Sequence, residues 1–363
     1  PTIFDEKVIE KFKSENVGKS LVRFLPEDEK LEKIILSGHD LKFIYEFESF
    51  LKSEGNMVIR DYWEWGGPKD LSFSESIIND AGVIFSEWGL SSAVWYSKNK
   101  KNHQKHIVRI HSQEVRERAR PITESIDLEG CDNIVFVSEN IRDLAKQRFG
   151  WSDEKMVTIP NFVDVVRFEK EKIDHSEKKI GMVGIVPQSK RMDLALDLIK
   201  ILNNEDAGWE LIFKGKTHRD LPFMKGPSRK KEYDWFEKQF QRIQEDEELA
   251  GSVYFEGYSN PISDWYPNIG YVVSLSDWES FHYSIAEGVS SGCTPLVLNW
   301  EGSSEIYHSG WVFDDVDEIA NEIIRISKLE QKERTEIGYS AREFIMKRYD
   351  VKLIFDKMSK LFI

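Results

Sequence analysis

The chain of 363 residues has only two cysteines, Cys131 and Cys293, which lie far apart in the sequence. Two cysteines at this separation give neither a disulfide framework nor the ligand spacing of a metal site, so we expect free thiols in a reducing compartment. The sequence also lacks an apolar run of the roughly 20 residues that a membrane-spanning helix needs. Its first residues lack the basic and apolar regions of a signal peptide. We therefore expect a cytoplasmic protein, with peripheral contact at the inner face of the membrane as the alternative.

Positive charge is also scarce, since 50 Lys and Arg residues stand against 64 Asp and Glu residues, a formal net charge of −14. This balance argues against nucleic acid as a partner, because such a partner requires a basic face that neutralises phosphates. It still permits a local basic pocket for one nucleotide. The chain has no G-x-G-x-x-G after its first predicted strand, which argues against a nicotinamide enzyme, and it has neither a Walker A loop nor a G-x-S-x-G turn.

Short β-branched runs alternate with helical patterns along the chain, which is typical of parallel α/β units. The length suggests about two domains, and the polar stretch 169–179 has the composition of a linker. We predict one α/β domain over 1–165, a second over 166–345, and a C-terminal helix over 346–363 that returns to the first domain. Ligands of such sheets bind beyond the carboxyl ends of the strands, so the cleft between the domains is the expected site. The predicted strands are 33–37, 57–60, 82–85, 106–110, 133–137, 156–159, 180–186, 210–213, 253–255, 271–275 and 295–298.

The stretch 277–288 carries the clearest chemistry. Glu279 lies in the turn after the predicted strand 271–275, and Glu287 lies about two turns into a helix that we predict to begin near Phe281. The first N–H groups of a helix form an anion site, and a carboxylate accepts hydrogen bonds from a ribose diol. This arrangement suits a sugar nucleotide. Two surface charges flanking an ordinary helix are the alternative.

Three further motifs accompany this stretch, and together they resemble the family 4 retaining glycosyltransferases of the two-Rossmann, GT-B type. The E-x7-E element of that family matches Glu279 and Glu287, and its IPNxxD junction matches 159–164. Its small-x-G-x-P-V-V and GG-x-x-E stretch matches 290–305, with Leu296 and Ser303 as substitutions. The resemblance implies two facing Rossmann-like domains, with the first on the acceptor side and the second on the donor side.

The activity that the resemblance implies is transfer of a sugar, with retention, from a nucleotide-diphosphate sugar to a hydroxyl acceptor. It implies no metal and no further cofactor. The acceptor is expected to be a carbohydrate, a lipid-linked molecule or a protein in bacterial surface polysaccharide, glycolipid or glycoprotein assembly. Asp315-Val316-Asp317 imitates the metal motif of other glycosyltransferases, but we expect a solvated turn there.

The resemblance also implies residue roles in the second domain. Glu287 corresponds to the acceptor of the ribose hydroxyls, and Glu279 to the carboxylate beside the transferring sugar. The amides of Phe281 and His282 would face the diphosphate, and Lys190 corresponds to the lysine that binds it.

Three positions depart from the family pattern. Ile185 follows Gly184 where the family usually has Arg, and His282 replaces a small residue. Arg191 replaces a Gly of the family pattern. We predict that Arg191 supplies the positive charge that is lost where Ile185 replaces Arg, and Lys214 is a further candidate for this role.

In the first domain, His111 follows the strand 106–110 and resembles the histidine that meets the donor sugar from across the cleft. Five residues are acceptor candidates, each with a merely structural role as the alternative: Gly38, His39, Lys42, Trp63 and Trp65.

A glycosidase and a non-catalytic binding subunit are the alternatives to a glycosyltransferase. A glycosidase would need its two carboxyl groups about 5–5.5 Å apart, which a turn residue and a residue two helical turns later do not favour. A degenerate, non-catalytic subunit that binds carbohydrate or a partner protein is suggested by the Ile185 and His282 departures.

Overall fold

The structure, a computed structural model, describes residues 32–116 and 119–362. The predicted start of the first domain at residue 1 and the last residue of the chain lie outside these ranges. Within them, the strands are β1 Lys33–Gly38, β2 Met57–Tyr62, β3 Val83–Glu87, β4 Lys105–Ile110, β5 Asn133–Phe136, β6 Met156–Thr158, β7 Lys179–Val183, β8 Glu210–Lys214, β9 Val253–Glu256, β10 Tyr271–Ser274, β11 Thr294–Leu298 and β12 Val312–Phe313.

The α-helices of the described residues are α1 Tyr45–Ser53, α2 Leu71–Ile78, α3 Ser91–Asn99, α4 Arg120–Thr123, α5 Glu139–Phe149, α6 Met192–Glu205, α7 Lys230–Glu245, α8 Glu247–Ser252, α9 Tyr283–Ser290, α10 Ser303–Ile306, α11 Val316–Ser327, α12 Gln331–Tyr349 and α13 Val351–Ser359. Short 3-10 helices occupy several loops, among them Leu41–Ile44 and Gln188–Lys190.

The strands form two parallel sheets, which confirms the predicted architecture of two Rossmann-like domains. The strand orders are β2-β1-β3-β4-β5-β6 and β12-β11-β10-β7-β8-β9. The central strands are buried on both faces, and they are continuous apolar runs because helices cover both sides of a parallel sheet. The order reverses between β1 and β3 and between β7 and β10, and ligands of open parallel sheets bind at such reversals.

The predicted strands all occur, but one helix start was predicted wrongly. Helix α9 begins at Tyr283 rather than near Phe281, because His282 has a left-handed backbone with φ 55° and ends the turn there. The Asp315 carboxylate caps α11 by accepting from the Glu318 amide, so the Asp315-Val316-Asp317 stretch is a helix start.

The last helix packs on the first sheet. Ile354 and Met358 of α13 are fully buried in one cluster with Ile34 of β1. The chain therefore passes between the domains at 159–168 and again near Tyr349. The two passages are hydrogen-bonded, since the Val163 amide donates to the Tyr349 carbonyl at 2.9 Å and the Val351 amide donates to the Val163 carbonyl at 3.1 Å.

Candidate functional site

A cavity of about 560 Å³ lies between the two sheets. Strand ends and turns of the second domain form one wall, and the loop after β4 forms part of the other. The predicted site residues that line it are His111, Lys190, Lys214, Glu279, Phe281, His282 and Glu287. The folding of both domains thus brings together residues that lie up to 176 positions apart, from His111 to Glu287 (287 − 111).

Glu279 and Lys190 form an ion pair in this cavity. The Lys190 ammonium donates to Glu279 Oε1, and the Ser276 hydroxyl donates to the same oxygen at 2.8 Å. Burial would raise the pKa of Glu279, but the Lys190 charge and these hydrogen bonds hold it below its ordinary value. Glu279 is therefore a carboxylate at neutral pH.

Glu287 is held differently. It lies on α9 among apolar residues, and the Tyr266 hydroxyl donates to its Oε2 at 2.8 Å. Burial raises the pKa of Glu287 to about 7, because the Tyr266 hydrogen bond and the charge of Arg167 offset only part of the lost hydration. The two glutamates of one motif thus have pKa values on opposite sides of their ordinary value.

His282 is a buried imidazole at the point where the strand order reverses. Its Nδ1 is 2.5 Å from the hydroxyl of Ser274, the last residue of β10. Burial and then the Lys190 charge lower the pKa of His282 to about 4, so the ring is neutral.

The peptide groups around Phe281 and His282 have a fixed orientation. The Tyr307 hydroxyl donates to the carbonyls of both residues. Because C=O and N–H point in opposite directions across a trans peptide, the amides of His282 and Tyr283 point away from Tyr307. The Phe281 ring is 1 % exposed and packs in the core of the second domain.

The basic candidates are divided between the cavity and its surroundings. Lys214 lines the cavity, and its ammonium is 3.4 Å from Glu256. Arg191 does not line it. Its guanidinium pairs with Asp193 at 3.0 Å and with Asp277 at 2.9 Å, so its charge is already neutralised.

Gly184 also lies beside the cavity rather than on its wall. It has φ +75°, and its amide donates to the Lys214 carbonyl at 2.8 Å, which ties the two strand ends together. Ile185 is buried in the apolar core of the second domain.

His111 reaches the cavity from the first domain and stacks on Trp88, with ring centroids 4.1 Å apart. Its Nε2 is 3.4 Å from Glu87 Oε1, and its Nδ1 is 3.7 Å from Glu114 Oε1. Burial and then Arg109 lower the pKa of His111 well below its ordinary value. The ring is neutral although it lies between two carboxyl groups.

A buried charge cluster behind His111 escaped the sequence analysis. Arg109 pairs with Glu87 at 3.0 Å, and both side chains are fully buried. Arg109 also donates to the Asn161 side chain at the domain junction. Burial raises the pKa of Glu114 to about 8, and its Oε1 accepts from the Gly89 and His111 amides. The sequence signal for this cluster was Arg109, a charged residue inside the apolar run of β4.

The acceptor candidates fall into different environments. His39 and Lys42 line a second cavity of about 650 Å³ that adjoins the first. Gly38 lies beneath it, and a Cβ there would come within 2.3 Å of the Glu87 carbonyl, so only glycine fits. Trp65 contacts His39 edge-on, with centroids 5.8 Å apart. Trp63 is buried in the core of the first domain and donates to Asp61 at 2.6 Å, and it lines neither cavity.

Three contacts join the domains around the site. The Ser280 hydroxyl accepts from the Ser112 amide at 2.9 Å and donates to the Ser112 hydroxyl at 2.7 Å. The Arg116 guanidinium lies 4.0 Å from the centre of the Trp278 ring. The Glu305 carboxylate accepts from the amides of Glu139 and Asn140 at the start of α5, at 2.6 and 2.9 Å.

Two family models match the chain on either side of the junction. The model described as Glycosyl transferases group 1 matches residues 166–344, and the model described as Glycosyltransferase Family 4 matches residues 79–167. The chain belongs to the glycosyltransferases that these two models describe. This result confirms the family resemblance seen in the motifs.

Two proteins of Staphylococcus aureus resemble this glycosyltransferase at low identity. A poly(ribitol-phosphate) alpha-N-acetylglucosaminyltransferase of Staphylococcus aureus is 22% identical over 215 residues, which are 58% of this chain and 40% of that protein. The chain therefore spans less than half of that relative. A TarM mutant of S. aureus in complex with fondaparinux, alpha-GlcNAc-glycerol and UDP matches with TM-score 0.62 and 18% identity, over 80% of this chain and 58% of that one.

Anabaena HepE, whose structure was solved in complex with UDP and glucose, is a protein of similar length to this chain. It matches with TM-score 0.71 and 15% identity, over 91% of this chain and 98% of that one. At these identities the structures establish that the glycosyltransferase fold is shared.

None of the helices in 32–116 and 119–362 has the length and apolar composition needed to cross a membrane. In the same ranges, no three or more His, Cys, Asp or Glu side chains are grouped as metal ligands.

Proposed function

We propose that this glycosyltransferase moves a sugar from a nucleotide-diphosphate sugar to a hydroxyl acceptor, with retention of configuration and without a metal ion. The observation that carries the proposal is the single cavity that collects Glu279 with Lys190, Glu287 with Tyr266, and His111 from the opposite domain. We further propose a role in bacterial surface polysaccharide, glycolipid or glycoprotein assembly in the cytoplasm. The free thiols of Cys131 and Cys293 suit such a reducing compartment.

The donor would lie along the second domain. Its ribose hydroxyls would donate to Glu287, and its diphosphate would lie near Lys190, Lys214 and the amides of His282 and Tyr283. These amides precede and begin α9, so the partial positive charge of the helix end adds to the lysine charges. UDP is the first nucleotide to test, because HepE and TarM were both solved with it.

The reaction would need charge stabilisation more than a covalent nucleophile. As the anomeric C–O bond to the diphosphate breaks, positive charge develops on the sugar ring beside the Glu279 carboxylate. Negative charge develops on the diphosphate beside Lys190. The acceptor hydroxyl would attack from the same face, form the new C–O bond, and give its proton to the leaving diphosphate. The closed cleft would keep water from competing.

Nucleotide binding tests this proposal directly. We expect UDP at 100 times its dissociation constant to stabilise the protein by about 2.7 kcal/mol. Glu287→Ala should abolish most of this stabilisation, whereas Glu336→Ala, on the exposed surface of α12, should preserve it. A folded sample that no nucleoside diphosphate stabilises would contradict the transferase and favour the non-catalytic subunit.

Product analysis tests the proposed retention of configuration, and a chelator tests the proposed independence of metal ions. The anomeric signal of the product should show the donor configuration, and a chelator should leave the rate unchanged. An inverted product or a chelator-sensitive rate would contradict retention or metal independence, respectively, while leaving sugar transfer itself in place.

A further inference from the structure

The second cavity continues from the first on the side of the first domain. Both cavities share Phe43, Tyr283 and Glu287 on their walls. We propose that this second cavity, which we call the acceptor chamber, binds a neutral carbohydrate chain that stacks on Tyr45 and Tyr62. The inference rests on the proposed sugar transfer and names the class of its acceptor.

The cations of the acceptor chamber are all engaged within the protein. Lys42 pairs with Asp40 at 2.7 Å. Arg60 pairs with Glu48 at 2.6 Å, and Arg167 pairs with Glu46 at 2.7 Å. Each cation therefore forms a locally neutral pair, and a phosphate or carboxylate on the acceptor would meet no uncompensated positive charge at these pairs.

The remaining charge of the chamber disfavours an anion further. Asp164 lines the same chamber, and its carboxylate accepts from the Arg167 amide at 3.0 Å. Burial lowers the pKa of His39, so its imidazole adds no positive charge at neutral pH. A sugar hydroxyl, in contrast, can donate to the paired carboxylates without displacing their cations.

Two exposed aromatic rings supply the apolar contact that a sugar ring needs. The side chain of Tyr45 is 59 % exposed and that of Tyr62 is 44 % exposed, so a large part of each aromatic ring faces solvent. Arg60 holds them in place, with its guanidinium 5.5 Å from the centre of the Tyr45 ring and its Nη1 donating to the Tyr62 hydroxyl at 3.2 Å. Tyrosine offers a rigid contact face at low entropy cost, so two fixed rings form a platform for pyranose faces.

The chamber leads to the proposed reaction centre. The rings of Phe43 and Tyr283 lie 5.6 Å apart at the boundary between the two cavities. On the first-domain side, the ring centroids of His39 and Trp88 lie 5.0 Å apart, and Trp88 packs against His111. Because the two cavities share Phe43, Tyr283 and Glu287 on their walls, a chain seated on the tyrosines would extend along Phe43 toward Glu279.

This acceptor class differs from that in the name of the staphylococcal relative, which is a poly(ribitol-phosphate) transferase. A polymer of that kind carries one negative charge per repeat. Its charges would meet Glu46 and Asp164 with no unengaged cation among the described residues that line the chamber.

Binding of neutral and anionic probes to the full chain, saturated with UDP, tests the inference. The neutral probes are hexasaccharides of glucose, N-acetylglucosamine and galactose, and the anionic probe is a poly(ribitol phosphate) fragment. We expect at least one neutral probe to bind more tightly than the anionic one. Tyr45→Ala combined with Tyr62→Ala should weaken that binding by about tenfold or more, because both stacking faces are lost.

The control is Tyr339→Ala, which removes an equally exposed tyrosine from α12 outside both cavities. It should leave glycan binding unchanged. Glu46→Gln, which releases Arg167, should not make the anionic probe the better ligand. Thermal unfolding verifies that each variant is folded.

Three results would overturn the inference. In the first, the anionic probe binds best. In the second, UDP binds but every neutral probe fails to bind, or binds equally well to the double variant. In the third, the tyrosine substitutions weaken UDP itself, which would make the chamber a nucleobase site. Failure of UDP to bind the unaltered protein is a different outcome, because it removes the proposed function as well.

Discussion

At the scale of single residues, the two glutamates of the E-x7-E element differ in the side chain that contacts each carboxylate. Lys190 forms an ion pair with Glu279, whereas the hydrogen-bond donor to Glu287 is the neutral hydroxyl of Tyr266. The sequence predicts that both glutamates face the cleft. It does not predict the difference between them, because Tyr266 and Lys190 come from separate loops that meet only in the folded chain.

The raised pKa of Glu287 makes stability depend on pH. A carboxyl group with a pKa of about 7 in the folded protein and an ordinary value when unfolded stabilises the fold at low pH. This contribution is complete below about pH 4.5 and is lost as the pH rises through 7, and it amounts to roughly 3 kcal/mol. Glu287→Gln should therefore lose less stability than the unaltered protein between about pH 5 and 8 in thermal unfolding.

Glu114, with its pKa raised to about 8, produces a loss of the same sign at slightly higher pH. It remains in the Glu287→Gln variant and serves as an internal reference. Identical pH profiles for the variant and the unaltered protein would show that Glu287 titrates normally.

Lys190 and Arg191 are neighbours in sequence but are placed differently by the fold. Lys190 lines the cavity, and Arg191 is neutralised outside it. Lys190→Ala should lower kcat by about 100-fold, because removal of a preorganised charge from a reaction centre costs about 3 kcal/mol. Arg191→Ala should change kcat less than about threefold. Equal losses for the two variants in steady-state assays would assign the diphosphate to Arg191.

At the scale of elements, the turn between β10 and α9 shows where sequence patterns reach their limit. The strands were predictable because parallel sheets are buried on both faces and require continuous apolar runs. The C-terminal helix predicted over 346–363 is divided in the structure, since α12 ends at Tyr349 and α13 spans Val351–Ser359. The start of α9 was missed by two residues, since a histidine with positive φ breaks the local rule that glycine occupies such positions.

His282 provides a test of this backbone conformation. Its φ of 55° costs an L-residue about 1 kcal/mol relative to glycine. His282→Gly and His282→Ala both lose the imidazole contact with Ser274, so they differ chiefly in this cost. We expect the Gly variant to be the more stable by about 1 kcal/mol in urea unfolding.

The same pair of substitutions at Tyr339, in the middle of the exposed helix α12, should give the opposite order by about the same amount. If the Ala variant at 282 is the more stable, the left-handed conformation is not maintained in solution.

At the scale of the whole molecule, the two domains and the cleft between them were foreseeable, but the contacts that set their spacing were not. Ser280 and Ser112, Arg116 and Trp278, and Glu305 with the start of α5 are separated by more than 160 residues. No local pattern encodes such pairs. Two of the three pairs lie beside predicted site residues, since Ser280 follows Glu279, Trp278 precedes Glu279, and Ser112 follows His111.

Ser280→Ala should separate binding from catalysis. It removes both hydrogen bonds to Ser112 while leaving the donor wall of the cavity in place. The bonds contribute about 1 kcal/mol between them, which corresponds to a fall in kcat of about fivefold to tenfold. Ser112→Ala keeps the amide and should have a smaller effect. The dissociation constant for UDP should stay constant, and a variant that loses UDP affinity instead would place Ser280 in the donor site.

The hydrogen-bonded pair of passages at Val163 and Tyr349 limits how the two domains can move. Two rigid bodies joined by one flexible peptide have several rotational degrees of freedom, whereas two bonded connections side by side leave mainly rotation about the line that contains them. Opening of the cleft then has one coordinate. A single distance across it, such as that between residues 112 and 280, is enough to describe every state from open to closed.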